Sequence, residues 1–344
     1  MTDTHRSSPG RASAPVTAVV INCNGGHEAL RCLNSVAASD PPPELLVLVD
    51  NGSTDGTRSL IDAQYRGAVP LDTVWLPTNV GLAAARNIGS LRATTRLIAF
   101  LDNDTVVFST WLKFALETMA AFEADCVQCR LVIGADPARL DSLGYLLGPF
   151  GFPRHLVRPG AMDSPKYDRP RLLFGVKAAA MLIAKQALER VGGFDPAFFI
   201  YGEETDLCWR LLRSGSRVVL APESRVLHFS GGTRRFLPTQ ADELLYRGGT
   251  RNYIRMVAKN APAPGVLADL VGQLVIWLGL AAVQAARGKF TCARLIALGV
   301  IDGLASLPEV MRARHSSPLP YVQAPRELRM QFSLAYLWRI VRAV

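Results

Sequence analysis

Residues 96–104, RLIAFLDND, combine the pattern of a buried strand with an acidic end. The apolar run at 97–101 has the length of a strand that is covered on both faces. Asp102 and Asp104 follow it directly, and two explanations fit them. Asp and Asn are common in turns, but carboxylates at the carboxyl edge of a parallel sheet also form ligand and metal sites. The rest of the sequence has to distinguish between these explanations.

Strand and helix patterns alternate before this segment. The runs VTAVVINCN (16–24), ELLVLVD (44–50) and VPLDTVWLP (69–77) predict three further strands, with helical spacing at 25–39 and 78–93. This alternation predicts an α/β fold with a mostly parallel sheet and flanking helices. The carboxyl ends of parallel strands converge on one edge, and polar residues stand at three of these ends: Asn22 and Asn24, Asp50 and Asn51, Asp102 and Asp104. Convergence favours a functional site over a simple turn.

Two common site motifs are missing from the sequence. No GxGxxG follows the first strand and no GxxxxGK[ST] occurs, which argues against a dinucleotide fingerprint and a phosphate loop. The chain has six cysteines, and the CxxC pair Cys126 and Cys129 lacks a second pair or neighbouring histidines. We therefore expect buried free thiols in a reducing compartment and no zinc site.

The second half begins with a Gly/Pro-rich span at 144–165, which predicts a mobile or substrate-facing loop. Residues 172–199 predict a strand, a short helix and a turn. YGEETDLCWRLLRSGS (201–216) predicts a helix, and RVVLAPESRVLHFSGGT (217–233) predicts two short strands with His228 at the end of the second.

Four motifs resemble those of the family 2 glycosyltransferases, which are inverting enzymes of the GT-A fold: LVLVDNGSTDGT (46–57), NVGLAAARNIG (79–89), LDND (101–104) and GGFDPAFFIYGEETDLCWRLLRSG (192–215). The likeness is closest to the bacterial rhamnosyltransferase-like branch and covers residues 16–255. LDND is similar to the DxD motif of that family. The resemblance implies the GT-A fold and a metal-dependent transfer of sugar from a nucleotide diphosphate donor.

The resemblance also assigns roles to individual positions. It implies that Asp50 recognises the nucleobase and that Asp104 binds Mg²⁺ or Mn²⁺, with Asp102 facing the ribose or the metal. His228 matches a position near the metal or the leaving diphosphate, although a strand-end histidine bonded to backbone is the alternative. The nucleotide-binding set is expected to be Asn22, Asp50, Asn79, Arg86 and Asp102, and the metal set Asp104, Asp102 and His228.

The last motif is similar to the catalytic-base region of the family. Glu204 stands where the family usually has the aspartate base, with Glu203 as the alternative. Asp206 and Trp209 are expected on the acceptor side. A structural role for Asp206, paired with Arg210 at i+4, is the competing interpretation.

The resulting hypothesis is an inverting glycosyltransferase that uses a dTDP- or UDP-linked sugar, with rhamnose as one candidate. The acceptor would be a hydroxyl of a lipid-linked or other glycan in cell-envelope polysaccharide biosynthesis. One alternative is a sugar-nucleotide nucleotidyltransferase, but NCNGGHEALR (22–31) lacks the lysine such enzymes use after the first strand. The other is a non-catalytic sugar-nucleotide or membrane-binding module, against which the intact acids argue.

The expected domains are a disordered tail at 1–14, a GT-A domain at 15–255 and a membrane-associated helical region at 256–344. The formal net charge of +9 resides in the last third, where basic residues flank apolar segments instead of interleaving with aromatics. This pattern predicts an anionic membrane surface as the partner and no nucleic acid.

Residues 266–286 contain Asp269 as their only charge and are long enough to span a bilayer. The following run, 295–311, is interrupted by Asp302 and Pro308. Basic residues on both sides of the first run favour a hairpin or an in-plane helix on the cytoplasmic face over a single pass. A buried core helix or a dimer interface is the alternative.

Overall fold

In a computed structural model of the chain, the described residues are 13–229, 231, 235, 237–263 and 265–329. Most of the predicted disordered tail, residues 1–12, lies outside this range, as do residues 330–344 of the predicted helical region.

The first half is the predicted alternation of strands and helices. Its four strands are parallel and lie in the order β3-β2-β1-β4. The elements are β1 Ala14–Asn22, α1 Gly26–Ala37, β2 Pro43–Asp50, α2 Thr57–Gln64, β3 Leu71–Trp75, α3 Leu82–Arg92 and β4 Leu97–Asp102.

The second half continues the same sheet with mixed strand directions. Its elements are β5 Thr105–Val107, α4 Trp111–Ala121, β6 Cys126–Ile133, β7 Asp136–Ser142, β8 Tyr145–Leu147, β9 Pro153–His155, β10 Ala161–Met162, β11 Arg171–Leu172, β12 Ala180–Ala184, α5 Lys185–Arg190, α6 Glu203–Arg213 and β13 Val218–His228. β12 lies antiparallel between β4 and β6, and β13 runs parallel to β6. The predicted α/β class is confirmed, with a sheet that is parallel in its first half and mixed beyond.

Two segments differ in detail from the sequence prediction. β13 is one strand with a register shift between Ala221 and Arg225, where two short strands were predicted. The span 144–165 is not a plain loop, because β8 and β9 form an antiparallel hairpin within it and β10 pairs with β7. A Gly/Pro-rich pattern does not reveal these pairings, since strands of two or three residues are too short to show the alternation that predicts a strand.

The sheet is covered on both faces. Alternate residues of β1 point to opposite sides, so that Ala18 and Val20 join one apolar cluster while Val19 and Ile21 join the other. Within the sheet Ile21 is level with Asp102, and Asn22 with Asp50. This register brings the polar strand ends together at one edge.

The C-terminal region is helical. A π-helical turn at Glu243–Gly248 leads into α7 Gly249–Asn260, followed by α8 Val266–Ala286, α9 Phe290–Ala305 and α10 Leu307–His315. The predicted domain boundary at 255/256 falls inside α7, a continuous helix. Within the part of the chain that the structure describes, α8 alone is a single helix long and apolar enough to cross a membrane, while α9 and α10 together qualify only as a pair bent by 43°.

Candidate active site

A cavity of about 570 Å³ opens at the carboxyl edge of the sheet. Its wall combines the ends of β1 and β4, the start of α6 and the end of β13. Most of the predicted site residues line it: Asn22, Asn79, Arg86, Asp102, Asp104, Glu203, Glu204 and His228. The structure therefore brings together residues that are spread over more than half of the sequence.

Asp50 lies behind the wall of this cavity. Its carboxylate accepts from Asn22 Nδ2 at 2.9 Å and from the Ser53 hydroxyl and backbone N–H at 2.7 and 2.9 Å. The residue is only 3% exposed, and its partner Asn22 lines the cavity in its place. These bonds join Asp50 at the end of β2 to Asn22 at the end of β1 and to Ser53. Recognition of a nucleobase by Asp50 stays a prediction.

The segment before α3, residues 79–81 and here called the NVG loop, is tied to the end of β2. Asn51 Nδ2 donates to Asn79 Oδ1 at 2.9 Å, and the backbone N–H of Val80 donates to Asn51 Oδ1 at 2.9 Å. Gly81 adopts φ +88°, and a Cβ there would lie 2.6 Å from the ring of Phe199. Only glycine therefore lets this loop pack so closely on the segment that precedes α6.

Arg86 is buried between two carboxylates. Its Nη1 donates to Glu203 Oε1 at 2.7 Å and its Nη2 to Asp102 Oδ1 at 3.0 Å, with the side chain 2% exposed. Two acidic partners keep the guanidinium charged despite its burial. The arginine thus bridges the LDND strand end and the start of α6.

Asp104 and His228 form the other side of the acidic edge. His228 Nε2 lies 3.3 Å from Asp104 Oδ1, and His228 Nδ1 lies 2.9 Å from Asp141 Oδ2. Lys177 Nζ donates to the same Asp141 oxygen at 2.7 Å. His228 is therefore held by two carboxylates, so the alternative of a histidine bonded to backbone does not describe its contacts.

These contacts shift the acid–base equilibria of the group. Burial disfavours charge on His228, yet hydrogen bonds to Asp104 and Asp141 raise its pKa to about 9. Burial likewise opposes ionisation of Asp141, but His228 and Lys177 lower its pKa to about 2. Ligand atoms of Asp102, Asp104 and His228 lie within 4.8 Å of one another, and among the residues described here they are the one such group able to hold a metal ion.

Glu204 faces the cavity from the first turn of α6 and is partly exposed. Burial, followed by the neighbouring charge of Glu203, raises the pKa of its carboxyl well above the ordinary range. Glu203 is 2% exposed and committed to Arg86. The two glutamates, adjacent in sequence, therefore have different environments.

Two predicted acceptor-side residues lie elsewhere. Asp206 is fully buried, accepts from Arg210 Nε at 2.8 Å and from Asn260 Nδ2 at 2.7 Å, and pairs with Lys259. Trp209 is 2% exposed and packs edge-on against Phe174 at 5.5 Å. Both side chains belong to the core behind α6, which corrects the expectation that they contact the acceptor; the pairing with Arg210 is the alternative that the structure bears out.

Several site residues carried no sequence signal. Asp141 lies in a polar strand and Lys177 in an apolar run, and neither stands in a recognisable motif. Tyr145 and His155 also line the cavity, with ring centroids 4.7 Å apart. Burial lowers the pKa of His155 to about 4, so this ring is neutral near pH 7. All six cysteines are free, and Cys126 and Cys129 lie in the core.

The chain is similar in sequence to known glycosyltransferases. Residues 17–163 match the family model described as glycosyl transferase family 2. The Pre-mycofactocin glycosyltransferase of Mycobacterium tuberculosis is 31% identical over 189 residues, which are 53% of this chain and 37% of that protein. The N-acetylglucosaminyl-diphospho-decaprenol L-rhamnosyltransferase of the same organism is 26% identical over 230 residues, 61% of this chain and 74% of that protein. This chain thus spans well under half the length of the first of these relatives.

Solved structures share the fold. S. aureus TarS 1-349, in complex with UDP-GlcNAc, superposes with a TM-score of 0.54 over 90% of this chain and 99% of its own, at 15% identity. The mannosyltransferase PcManGT of Pyrobaculum calidifontis, in complex with GDP-Man and Mn²⁺, gives 0.52 over 88% of both chains at 18% identity. Together with the order of the motifs and the sheet topology, these matches assign residues 17–163 to glycosyl transferase family 2 and show that the chain has the GT-A fold.

Proposed function

We propose that this chain is an inverting, metal-dependent glycosyltransferase that moves a sugar from a nucleotide diphosphate donor to an acceptor hydroxyl. One observation carries the proposal: a group able to hold a metal, Asp102, Asp104 and His228, and a cavity-facing carboxylate of raised pKa, Glu204, line the same cavity. A transfer reaction needs one group for the leaving diphosphate and another for the attacking hydroxyl.

The residues at the acidic edge fit a divalent cation. Carboxylate oxygens are the ligands that Mg²⁺ and Mn²⁺ prefer, and Mg²⁺ takes few protein ligands because water and substrate phosphates fill the rest of its shell. Asp104 and His228, with Asp102 beside them, would hold the ion, which supplies a Lewis acid for the charge that develops on the diphosphate. Asp141 would orient the His228 ring through Nδ1.

Glu204 would act as the general base. It would take the proton of the acceptor hydroxyl while that oxygen attacks the anomeric carbon and the bond to the diphosphate oxygen breaks. Positioned proton transfer of this kind is typically worth ~10²–10⁴ in rate. Glu203 is less suited, because it is only 2% exposed and its Oε1 already accepts a hydrogen bond from Arg86. A single displacement of this kind inverts the anomeric centre.

The relatives suggest the substrate classes. One is named as a rhamnosyltransferase acting on a diphospho-decaprenol acceptor, and one neighbour binds UDP-GlcNAc. We propose a dTDP- or UDP-linked donor, with rhamnose as the first sugar to test, and a lipid-linked or other glycan acceptor of the cell envelope. Asn22, Asn79 and Arg86 would form the nucleotide side of the cavity, with Asp50 supporting it.

We further propose that the chain lies on the cytoplasmic face of a membrane with α8 in the plane of the surface. The outer face of this helix exposes apolar side chains at helical spacing: Leu267, Val271, Val275 and Leu278. The opposite face is fixed to the catalytic domain, since Gln273 Nε2 donates to the Phe150 carbonyl at 2.7 Å and Trp277 packs on Phe152 at 5.6 Å.

This attachment argues against a spanning helix. The middle of α8 contacts the 148–152 segment, so that a spanning α8 would draw polar backbone of the catalytic domain into hydrocarbon. An in-plane helix avoids this cost and buries only its outer face. The exposed residues Phe290 on α9 and Arg287, Lys289 and Arg294 beside it fit an anionic lipid surface.

The donor is identified by a thermal-shift screen of nucleotide diphosphate sugars with Mn²⁺, because a ligand that binds the folded state raises its apparent stability. Nucleoside diphosphate release and product formation with the best donor then test turnover. Transfer to an acceptor supports the proposal. Formation of a sugar nucleotide from a sugar phosphate and a nucleoside triphosphate would instead identify a nucleotidyltransferase, and donor binding without turnover a binding module.

Membrane placement is tested by flotation with anionic vesicles. We expect the wild-type protein to float and the double variant Leu267→Glu/Val275→Glu to remain at the bottom. Leu91→Glu is the matched control, since Leu91 is an apolar residue of α3, 82% exposed and outside the C-terminal helices. A wild-type protein that is monodisperse without detergent and ignores the vesicles would contradict the proposal and favour a core or dimer role for these helices.

A further inference from the structure

The segment that leads into α6 has an unusual backbone. Phe199 and Tyr201 adopt φ +60° and +68°, and Gly202 adopts φ +88°. Residues other than glycine rarely adopt such conformations, which persist only where surrounding contacts hold them. This segment, residues 199–202 and here called the base loop, ends directly before Glu203 and Glu204.

The base loop is fixed on one side by α3. The Phe199 carbonyl accepts from the backbone N–H groups of Leu82 and Ala83, at 2.6 and 3.2 Å. These are the first residues of α3, so the base loop is joined to the start of that helix, directly after the NVG loop. The neighbouring carbonyl groups, of Phe198, Ile200 and Tyr201, accept their hydrogen bonds from a different helix.

Asn252 of α7 provides that second attachment. Its Nδ2 donates to the carbonyl oxygens of Phe198, Ile200 and Tyr201 at 2.7, 2.9 and 2.8 Å. Its Oδ1 accepts from the Arg251 side chain at 3.0 Å, and Asn252 is fully buried. A primary amide has two N–H groups, so three converging carbonyls use its whole donor capacity.

We propose that Asn252 is a positioning residue for the general base: it sets the base loop so that the Glu204 carboxylate faces the cavity. This inference rests on the proposed function, because it assumes that Glu204 is the base. It also assigns α7, which lies beyond the family-matched residues 17–163, to the active site. The helical region is then part of the catalytic unit as well as a surface for lipid.

The competing explanation is that Asn252 only stabilises the fold. The same helix offers a matched control, Asn260, which is also fully buried and donates to Asp206 Oδ1 at 2.7 Å on the core side of α6. Replacement of either asparagine by alanine removes a buried amide donor. Only Asn252 contacts the base loop, so the two variants separate positioning from stability.

The experiment compares Asn252→Ala, Asn252→Asp and Asn260→Ala in the full-length protein. Single-turnover transfer at saturating donor and Mn²⁺ is expected to fall about 10²-fold in both Asn252 variants, since a small misplacement of a reacting group has effects of this size. The donor affinity of the Asn252 variants should remain near that of the wild type. Asn260→Ala should have a lower Tm but the single-turnover rate of the wild type. Asn252→Gln, which keeps both N–H donors, should recover part of the rate.

A second readout does not depend on turnover. Amide hydrogen exchange in a peptide covering 196–206 should become faster in Asn252→Ala than in Asn260→Ala, even where the two variants lose similar Tm. Equal exchange and equal single-turnover rates in the two variants would overturn the inference. If Glu204→Gln is as active as the wild type, the assignment of Glu204 as general base in the proposed function is wrong. If Glu204→Gln is inactive while Asn252→Ala and Asn252→Asp are fully active, only the positioning role of Asn252 is wrong.

Discussion

Arg86 donates to Glu203 at 2.7 Å, across 117 positions of sequence. The same guanidinium donates to Asp102 at 3.0 Å, so one buried cation joins the acidic strand end of the first half to the helix that carries the predicted base. Glu203 is thereby engaged in a buried ion pair, while its neighbour Glu204 faces the cavity. This arrangement distinguishes two glutamates that the sequence alone leaves as alternatives.

Substitutions of Arg86 and Glu203 should have strongly non-additive effects on the free energy of unfolding. Arg86→Met leaves Glu203 and Asp102 without their cation, and loss of one partner of a buried pair typically costs roughly 3–5 kcal/mol. The double variant Arg86→Met/Glu203→Gln should be less destabilised than the sum of the two single variants, because it leaves one uncompensated carboxylate fewer. Urea unfolding measures all three variants. Additive free energies of unfolding would show that the pair is not coupled.

The two glutamates should respond differently to neutralisation. Glu204→Gln is expected to slow the chemical step by ~10²–10⁴ while donor affinity is retained, since the base acts on the acceptor. Glu203→Gln should slow that step less and mainly lower stability. Single-turnover rates and donor titrations of both variants provide the check. A larger rate loss in Glu203→Gln would identify Glu203, and not Glu204, as the general base.

Asp104 should be essential for metal-dependent donor binding. Asp104→Asn removes the carboxylate paired with His228, and we expect calorimetric titration with donor and Mn²⁺ to lose its metal-dependent component. The fold should survive, because the residue stands at a polar sheet edge. The far-UV spectrum serves as control, and an unchanged metal-dependent affinity would refute the metal assignment.

Asp141 should act on the metal through His228. It is 2.9 Å from His228 Nδ1, and loss of such a supporting carboxylate typically weakens metal affinity about 10–100-fold. Asp141→Asn should therefore bind Mn²⁺ more weakly in the presence of donor. Asp163→Asn is the control, since Asp163 pairs with Arg130 and Arg225, whereas the carboxylates that hold His228 are Asp104 and Asp141. Equal affinities in the two variants would mean that Asp141 does not support His228.

The rate should depend on pH in a defined direction. A general base must be ionised, and burial together with Glu203 raises the pKa of Glu204. Protonation of Glu204 at low pH should remove activity. The rate should therefore rise with pH, and the midpoint of this rise should lie above the ordinary glutamate pKa of about 4.3. The pH–rate profile at saturating Mn²⁺ and donor tests this. A rate that is already maximal at about pH 5 would contradict a raised pKa for the base.

The sheet edge could be predicted from the sequence because its signals are local. Each polar strand end, such as Asn22 or Asp102, follows an apolar run, and the alternation of strands and helices places these ends at one edge. The 21-residue helix Val266–Ala286 was likewise visible from its composition. Its packing on Phe150 was not, because the partner lies in a distant segment with no matching pattern.

Residues within α6 show why a motif does not assign roles by proximity. Asp206 lies two positions after Glu204, which is about 200° around a helix, so the two side chains cannot face the same cavity. The side chains of Asp206 and Trp209 lie in the core, although the motif resemblance predicted that they face the acceptor. Asp141 and Asn252 act through tertiary contacts to His228 and the base loop, and a single sequence contains no trace of such partners.

The stereochemistry of transfer tests the central claim most directly. Full-length protein is incubated with Mn²⁺, the donor selected by thermal shift and a lipid-linked acceptor, and the anomeric proton of the product is followed by NMR before the product can equilibrate. The account predicts acceptor-dependent release of nucleoside diphosphate and a glycoside of inverted anomeric configuration, both lost in Glu204→Gln. A product of retained configuration, or full activity in Glu204→Gln, would contradict a single displacement assisted by this base.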